Sequence, residues 1–175
     1  MRFRSMLTAL LLVLCLGSAA HAGNITQKES ETFFWKIVDR IQNESPEYFT
    51  LFSDTAKVVY TWPESYMMGP RTVSSFNEFK DGVNEFWAYS ENHSFDLKPP
   101  KIVIQGDRAV VTALFFERYT LGGYTLENKA RHTYVLARGK GGIKIVEFTN
   151  HVSEITEKGL PSAPQKDPVK TPKKT

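Results

Sequence analysis

The feature that most constrains this chain is a change of period near residue 100. From Lys101 to Ser153 four runs, KIVIQ, RAVVTALFFERYT, YTLENKARHTYVLAR and IKIVEFTNHVS, read as strands. Alternation sends successive side chains to opposite faces of a sheet. Gln105-Gly106-Asp107, Gly122-Gly123 and Gly139-Lys140-Gly141-Gly142 separate the runs, and glycine supplies the positive φ that tight hairpins need. The runs therefore predict an antiparallel meander, which must bury one face against another layer.

Upstream the period is helical. In TQKESETFFWKIVDRIQN, Phe34, Val38 and Ile41 fall on one stripe, the mark of an amphipathic helix. Ser45-Pro46 opens a second, short helix whose apolar side is Tyr48, Phe49, Leu51 and Phe52; proline fits a first helical turn because its missing N–H has no partner there. AKVVYTWP reads as a strand stopped by Pro63. SSFNEFKDGVNEFWAY reads as a third helix, with Ser75 and Glu78 in a capping-box pattern and Phe76, Phe79, Val83, Phe86 and Trp87 at helical spacing. Helices first and strands later is the α+β order. The expected architecture is a curved antiparallel sheet wrapped around N-terminal helices.

Both ends differ from this middle. Residues 1–22 have Arg2 and Arg4, an apolar run and Ala20-His21-Ala22, the pattern of a cleaved export signal. The run is short for a bilayer span. Cys15 is the single cysteine and lies in that leader, so the mature chain is expected to carry no disulfide and no cysteine metal site. Export without cysteine suits a bacterial periplasm. The stretch from 157 to 175 is rich in proline and lysine and reads as a disordered tail, either solubilising or in weak contact with anionic envelope components. The formal charge is +3, but the two end segments carry that excess. The domain, residues 23–156, is close to neutral and shows no nucleic-acid footprint.

Motifs with chemistry are few. No HxH or HExxH spacing marks a metal, no GxSxG elbow marks a serine nucleophile, and no phosphate loop is present. No cofactor is expected. NKARHTYVLA, residues 128–137, poses the main question. One face of that strand carries Lys129, Arg131, Thr133 and Val135; the other carries Ala130, His132, Tyr134 and Leu136. Neither face is simply apolar, and a slip of one residue exchanges the two. His93 lies in the polar stretch SENHS and reads as solvent-exposed. His151 follows Asn150 on the last strand. Tyr60, Trp62, Tyr66, Met67 and Met68 gather near the end of the first strand, where they line a pocket or pack as core, and residues 63–72 read as a flap. Glu117 and Tyr119 sit on a strand able to face the same space.

The order helix, short helix, strand, helix, meander resembles the nuclear transport factor 2-like superfamily, over about residues 28–155. FTLFSDTAKVVYTWP and ARHTYVLARGKGGIKIV are similar to segments of its branch with SnoaL-like proteins and the calcium/calmodulin-dependent protein kinase II association domain. The resemblance implies a cone with a pocket at its open end. It also implies an arginine on the strand that carries ARHTYVLAR lining that pocket, a position that Arg131 matches, and sheet-to-sheet homodimers with Phe116, Phe148 and Tyr134 at the cover. The carboxylate base and protonated acid of the superfamily's ketosteroid isomerases fall near Tyr60-Thr61-Trp62 and near Arg131, neither acidic, so that mechanism is excluded here.

The sequence thus predicts a secreted small-molecule-binding domain. Arg131 orients an anionic or polar group, with Tyr60, Trp62, His132, Glu117, Tyr119 and His151 as further site candidates; alternatively Arg131 pairs internally with Glu117 or Glu127. Two other readings remain open: a lyase, isomerase or hydrolase using His132 or His151 with Tyr60 as proton carriers, and a non-catalytic assembly module.

Overall fold

The structure, a computed structural model, describes residues 24–62, 71–139 and 141–158. Helix α1 (Gln27–Gln42) starts at Thr26, whose hydroxyl accepts from the Glu29 N–H while the Glu29 carboxylate accepts from the Thr26 N–H. This reciprocal box satisfies two N–H groups that have no partner inside the helix. A 3-10 turn (Pro46–Leu51) leads into β1 (Phe52–Trp62), followed by β2 (Arg71–Val73) and α2 (Phe76–Tyr89), capped by Ser75. Then come β3 (Glu91–Leu97), β4 (Lys101–Gln105), β5 (Arg108–Leu121), β6 (Tyr124–Gly139) and β7 (Gly142–Lys158). β7 runs two residues past the boundary expected for the tail.

The strand order is β2-β1-β7-β6-β5-β3, and β4 also pairs with β5. β5 is long enough to hold β4 along its first part, Arg108–Thr112, and β3 along its second, Phe115–Thr120. β1 lies parallel to β7, which closes the order of the sheet around the last strand. Two irregularities in the β6–β7 register, beside Val146 and beside Ser153, place one extra residue of β7 on each side of the segment Ala130–Val135. Such bulges bend a sheet and increase its twist. They also keep the buried face of β7 in phase: Ile145 and Phe148 are three residues apart and both point inward.

The helices fill the concave side. Phe34, Ile37, Val38 and Ile41 of α1 and Phe79 and Trp87 of α2 are buried against Val58, Val111, Phe115, Tyr134, Leu136 and Phe148 of the sheet. Phe79 meets Phe148 with ring centroids 5.3 Å apart, and Phe34 meets Tyr134 edge-on at 6.4 Å. Each such side chain contributes about 2 kcal/mol by leaving water. These contacts explain why the expected helical stripes formed helices at all.

Three expectations are corrected. SENHS is not a loop: Glu91–Leu97 forms β3 and pairs with β5. His93 is accordingly half-buried, with its side chain 5% exposed, its ring 5.2 Å from that of Phe86 and Nδ1 3.9 Å from a Glu44 carboxylate oxygen. Tyr134 and Phe148, expected on an outer surface, are core residues, whereas Phe116 is exposed. The flap expected at 63–72, with Tyr66, Met67 and Met68, falls mostly outside the described residues; only its end enters β2.

Candidate functional site

The phase of β6 decides the site. Leu126, Asn128, Ala130, His132, Tyr134 and Leu136 face the helices and are all buried. Arg131 is exposed on the opposite face, directly across from exposed His151 of β7. The expectation that Arg131 points inward and His132 outward is therefore reversed. The physical reason is the charge load of the outer phase: Glu127, Lys129 and Arg131 share it, and burying three ions in a helix-packed core costs more than burying one imidazole and one amide. Of the two carboxylates expected as internal partners of Arg131, Glu127 accepts from Nε of Arg118 at 2.9 Å and Glu117 pairs with Asn128 on the inner phase.

On the inner face the strands align a polar row. Cross-strand pairing sets Tyr60 beside Asn150, Asn150 beside His132, and His132 beside Ala113. His132 is 5% and Asn150 1% exposed. The imidazole is stacked on Phe115 at 4.1 Å and met edge-on by Phe148 at 5.5 Å. Its Nδ1 lies 3.0 Å from the Tyr134 hydroxyl, and Tyr134 in turn hydrogen-bonds to Tyr48 of the 3-10 turn. Its Nε2 has no hydrogen-bond partner among the described residues, and the same holds for Oδ1 of Asn150 and Oδ1 of Asn128. Burial lowers the His132 pKa to about 3, so the ring is neutral at physiological pH, with a proton on only one nitrogen.

A second polar position lies further along the same face. Glu117 of β5 is inner-facing and sits opposite Asn128 of β6 and Phe95 of β3. Burial raises the Glu117 pKa, partly offset by a hydrogen bond from Asn128. Burial also raises Tyr48 and Tyr134, with Glu117 adding to both as a nearby negative charge. Tyr119 is buried two residues beyond Glu117, with its ring 4.9 Å from Phe86. Tyr60 and Trp62 are half-buried with ring centroids 4.2 Å apart, and Tyr60 also approaches Phe79 at 6.1 Å.

Of the residues expected at a site, the structure thus places Tyr60, Trp62, His132, Glu117 and Tyr119 on the inner side and sets Arg131 and His151 outside. Asn128, Asn150, Tyr134 and Tyr48 were missed as members of the polar cluster. The available signal was an asparagine at a position that alternation assigns to a buried face, a residue type that is rarely fully buried without partners. Among the described residues no group of three or more His, Cys, Asp or Glu side chains is placed to hold a metal ion.

A groove of about 460 Å³ opens mainly on the outer face, lined by Ser94, Asp96, Phe116, Arg118, Glu127 and Lys129 among others. The groove also takes in Phe95, Glu117 and Asn128 from the inner face, but it is the weaker site. Its charges alternate in sign, and Arg118 and Glu127 already satisfy each other. The unpartnered Nε2 of His132 and Oδ1 of Asn150 do not belong to its lining.

No protein-family profile and no curated protein matches the sequence. Solved structures do match in shape. A candidate scytalone dehydratase from Novosphingobium aromaticivorans superposes with a TM-score of 0.58 at 11% identity, covering 74% of this chain and 85% of that one. A nuclear transport factor 2-like protein from Cytophaga hutchinsonii gives 0.55 at 17% identity, covering 74% and 100%. A hexachlorocyclohexane dehydrochlorinase, LinA type 2, gives 0.55 at 13% identity, covering 77% and 93%. At these identities the likeness is one of fold. With its curved sheet closed over N-terminal helices, the chain has the nuclear transport factor 2-like cone fold.

Proposed function

We propose that this domain binds a small, neutral organic molecule inside the cone, where it donates hydrogen bonds to His132 and Asn150. One observation carries the reading: Nε2 of His132 and Oδ1 of Asn150, on directly paired positions of adjacent strands, are both buried and both lack a partner among the described residues. Buried polar atoms are almost always paired, and each one left unpaired costs about 1–3 kcal/mol. Two on neighbouring positions make a receptor for a ligand group. The sequence expectation allowed an anionic ligand, held by Arg131. With Arg131 outside, no lysine or arginine lies among the inner residues of β6 from Leu126 to Leu136, and a buried anion without a cation is strongly disfavoured. A neutral polar ligand fits.

A lyase-type reaction is the second reading. It is favoured by Tyr60, which shares the row with His132 at a spacing of two strands, about 10 Å. A substrate lying across Asn150 has an imidazole lone pair at one end and a phenol at the other. In a β-elimination the imidazole takes a proton from carbon, that electron pair forms the double bond, and the leaving group departs from the next carbon with the phenol's proton. The low pKa of His132 makes it a weak base in the empty fold, which is why binding stands first. The dehydratase and dehydrochlorinase names among the structural neighbours agree with this reading by analogy of fold.

We further propose export to a bacterial periplasm, from the leader-like residues 1–22, and a homodimer through the outer face, where Phe116 and Val59 are exposed. The lysine-rich stretch after 157 is proposed to touch anionic envelope components only weakly.

The test is native mass spectrometry of the chain purified from its own host, beside His132→Phe. A bound neutral molecule that the variant loses supports the reading. An empty chain in both overturns it and leaves an assembly module as the function.

A further inference from the structure

We infer that Tyr134 and Tyr48 are positioning residues that hold His132 in the tautomer with its proton on Nδ1, leaving the lone pair of Nε2 to face the ligand. The inference rests on the reading of His132 as the ligand-facing group and adds the device that sets its hydrogen-bonding sense.

The geometry is a chain of three groups. Nδ1 of His132 stands 3.0 Å from the Tyr134 hydroxyl, and that hydroxyl is bonded to the hydroxyl of Tyr48. The ring cannot turn away, because Phe115 stacks on its face and Phe148 closes its edge. Hydroxyls donate once, so the chain has two possible directions. In one, Tyr48 donates to Tyr134, Tyr134 donates to Nδ1, and Nε2 must carry the hydrogen. That leaves a buried N–H with no acceptor among the described residues, and orphaned buried N–H groups are rare. In the other, Nδ1–H donates to Tyr134 and Tyr134 donates to Tyr48. Nε2 is then a bare acceptor, which is under-satisfied but waits for a donor.

The consequence is a sense of recognition. With Nε2 as acceptor beside Oδ1 of Asn150, the row offers two acceptors at positions that face each other across β6 and β7, with backbones about 5 Å apart. A ligand that presents two hydrogen-bond donors, such as a diol, suits this row. A carbonyl or ether presents none and is not held.

Nitrogen-15 NMR of the histidine rings in the full chain tests this at neutral pH, with His132→Phe assigning the signal. The expected spectrum has a pyrrole-like Nδ1 and a pyridine-like Nε2 for His132. Tyr48→Phe removes the acceptor at the end of the chain, frees Tyr134 to donate to Nδ1, and moves most of the population to the Nε2–H form. Tyr134→Phe gives a mixture, and it serves where Tyr48→Phe does not fold. A wild-type His132 already protonated on Nε2, or a tautomer indifferent to both substitutions, overturns the inference. A loss of packing alone does not exchange the two ring nitrogens. The mass-spectrometric experiment can fail with the tautomer as stated, and the reverse, so the two readings are separable.

Discussion

Acidification provides a measure of how thoroughly His132 is buried. In the folded chain its pKa is lowered from 6.5 to about 3 by burial; in the unfolded chain it titrates normally. Between these values the unfolded state binds the extra proton, so stability rises with pH and is lost as pH falls below about 6.5. At pH 5 the folded ring is still neutral while nearly every unfolded ring is protonated. The loss relative to pH 8 is 1.5 pH units at about 1.4 kcal/mol each, or about 2 kcal/mol. Because pH 5 lies well above the buried value, that figure is set almost wholly by the unfolded state.

Other groups titrate in the same range. Glu29, lowered to about 2 by the Thr26 N–H, the Thr26 hydroxyl and Arg138, loses its contribution as pH falls. Glu117, raised by burial, has the opposite sign: its contribution is complete at low pH and is lost as pH rises through its folded value. Both are present equally in wild type and in His132→Phe, so their effects cancel in the comparison. Phenylalanine keeps the stack on Phe115, and Tyr134 keeps its bond to Tyr48. Urea unfolding at pH 8 and pH 5, followed by tryptophan fluorescence with Trp87 in the core, measures the four stabilities. The wild type should lose about 2 kcal/mol more than the variant on going to pH 5. Equal losses in the two proteins refute the argument, since His132 must then titrate in the folded state as it does in the unfolded one.

Three further outcomes follow from the site. Asn150→Leu replaces a buried amide whose Oδ1 has no partner by an apolar group of similar size and should raise stability by about 1 kcal/mol, near 3 °C in Tm by calorimetry, while ligand retention is lost; a fall in Tm contradicts the orphaned oxygen. Arg131→Ala should change urea stability by less than about 0.5 kcal/mol and leave any retained ligand bound; loss of the ligand restores the inward reading of that strand. Phe115→Ala removes the plate beneath His132 and a fully buried ring, and should cost about 4 kcal/mol in the same unfolding assay.

The period change near residue 100 was enough to give the α+β class and the wrapped helices, because burial of a sheet face and of helical stripes is a property of each segment taken alone. β3 escaped because ENHSFDL has only two large apolar residues, and its strand identity comes from the length of β5, which needs a second partner beyond β4. The phase of β6 was nearly legible. Counted from Thr125 to Leu136, one phase carries Glu127, Lys129 and Arg131 and the other a single histidine and a single asparagine, and charge avoidance in the core already selects the second. What misled was the match of Arg131 to a pocket arginine, a positional analogy given weight against that count.

The site itself was not legible for a different reason. Asn150 meets His132 only because β7 holds an extra residue at Val146, and register is an inter-strand quantity that neither strand encodes by itself. A strictly regular β7 that kept its Ile145–Leu136 pairing would turn Phe148 and Asn150 outward, because one residue less exchanges the faces. The bulge therefore does more than curve the sheet: it brings two polar side chains into one buried row. That places the polar row among the features that break the local hydrophobic rule, which is where function is expected to be found in a sequence otherwise consistent with its fold.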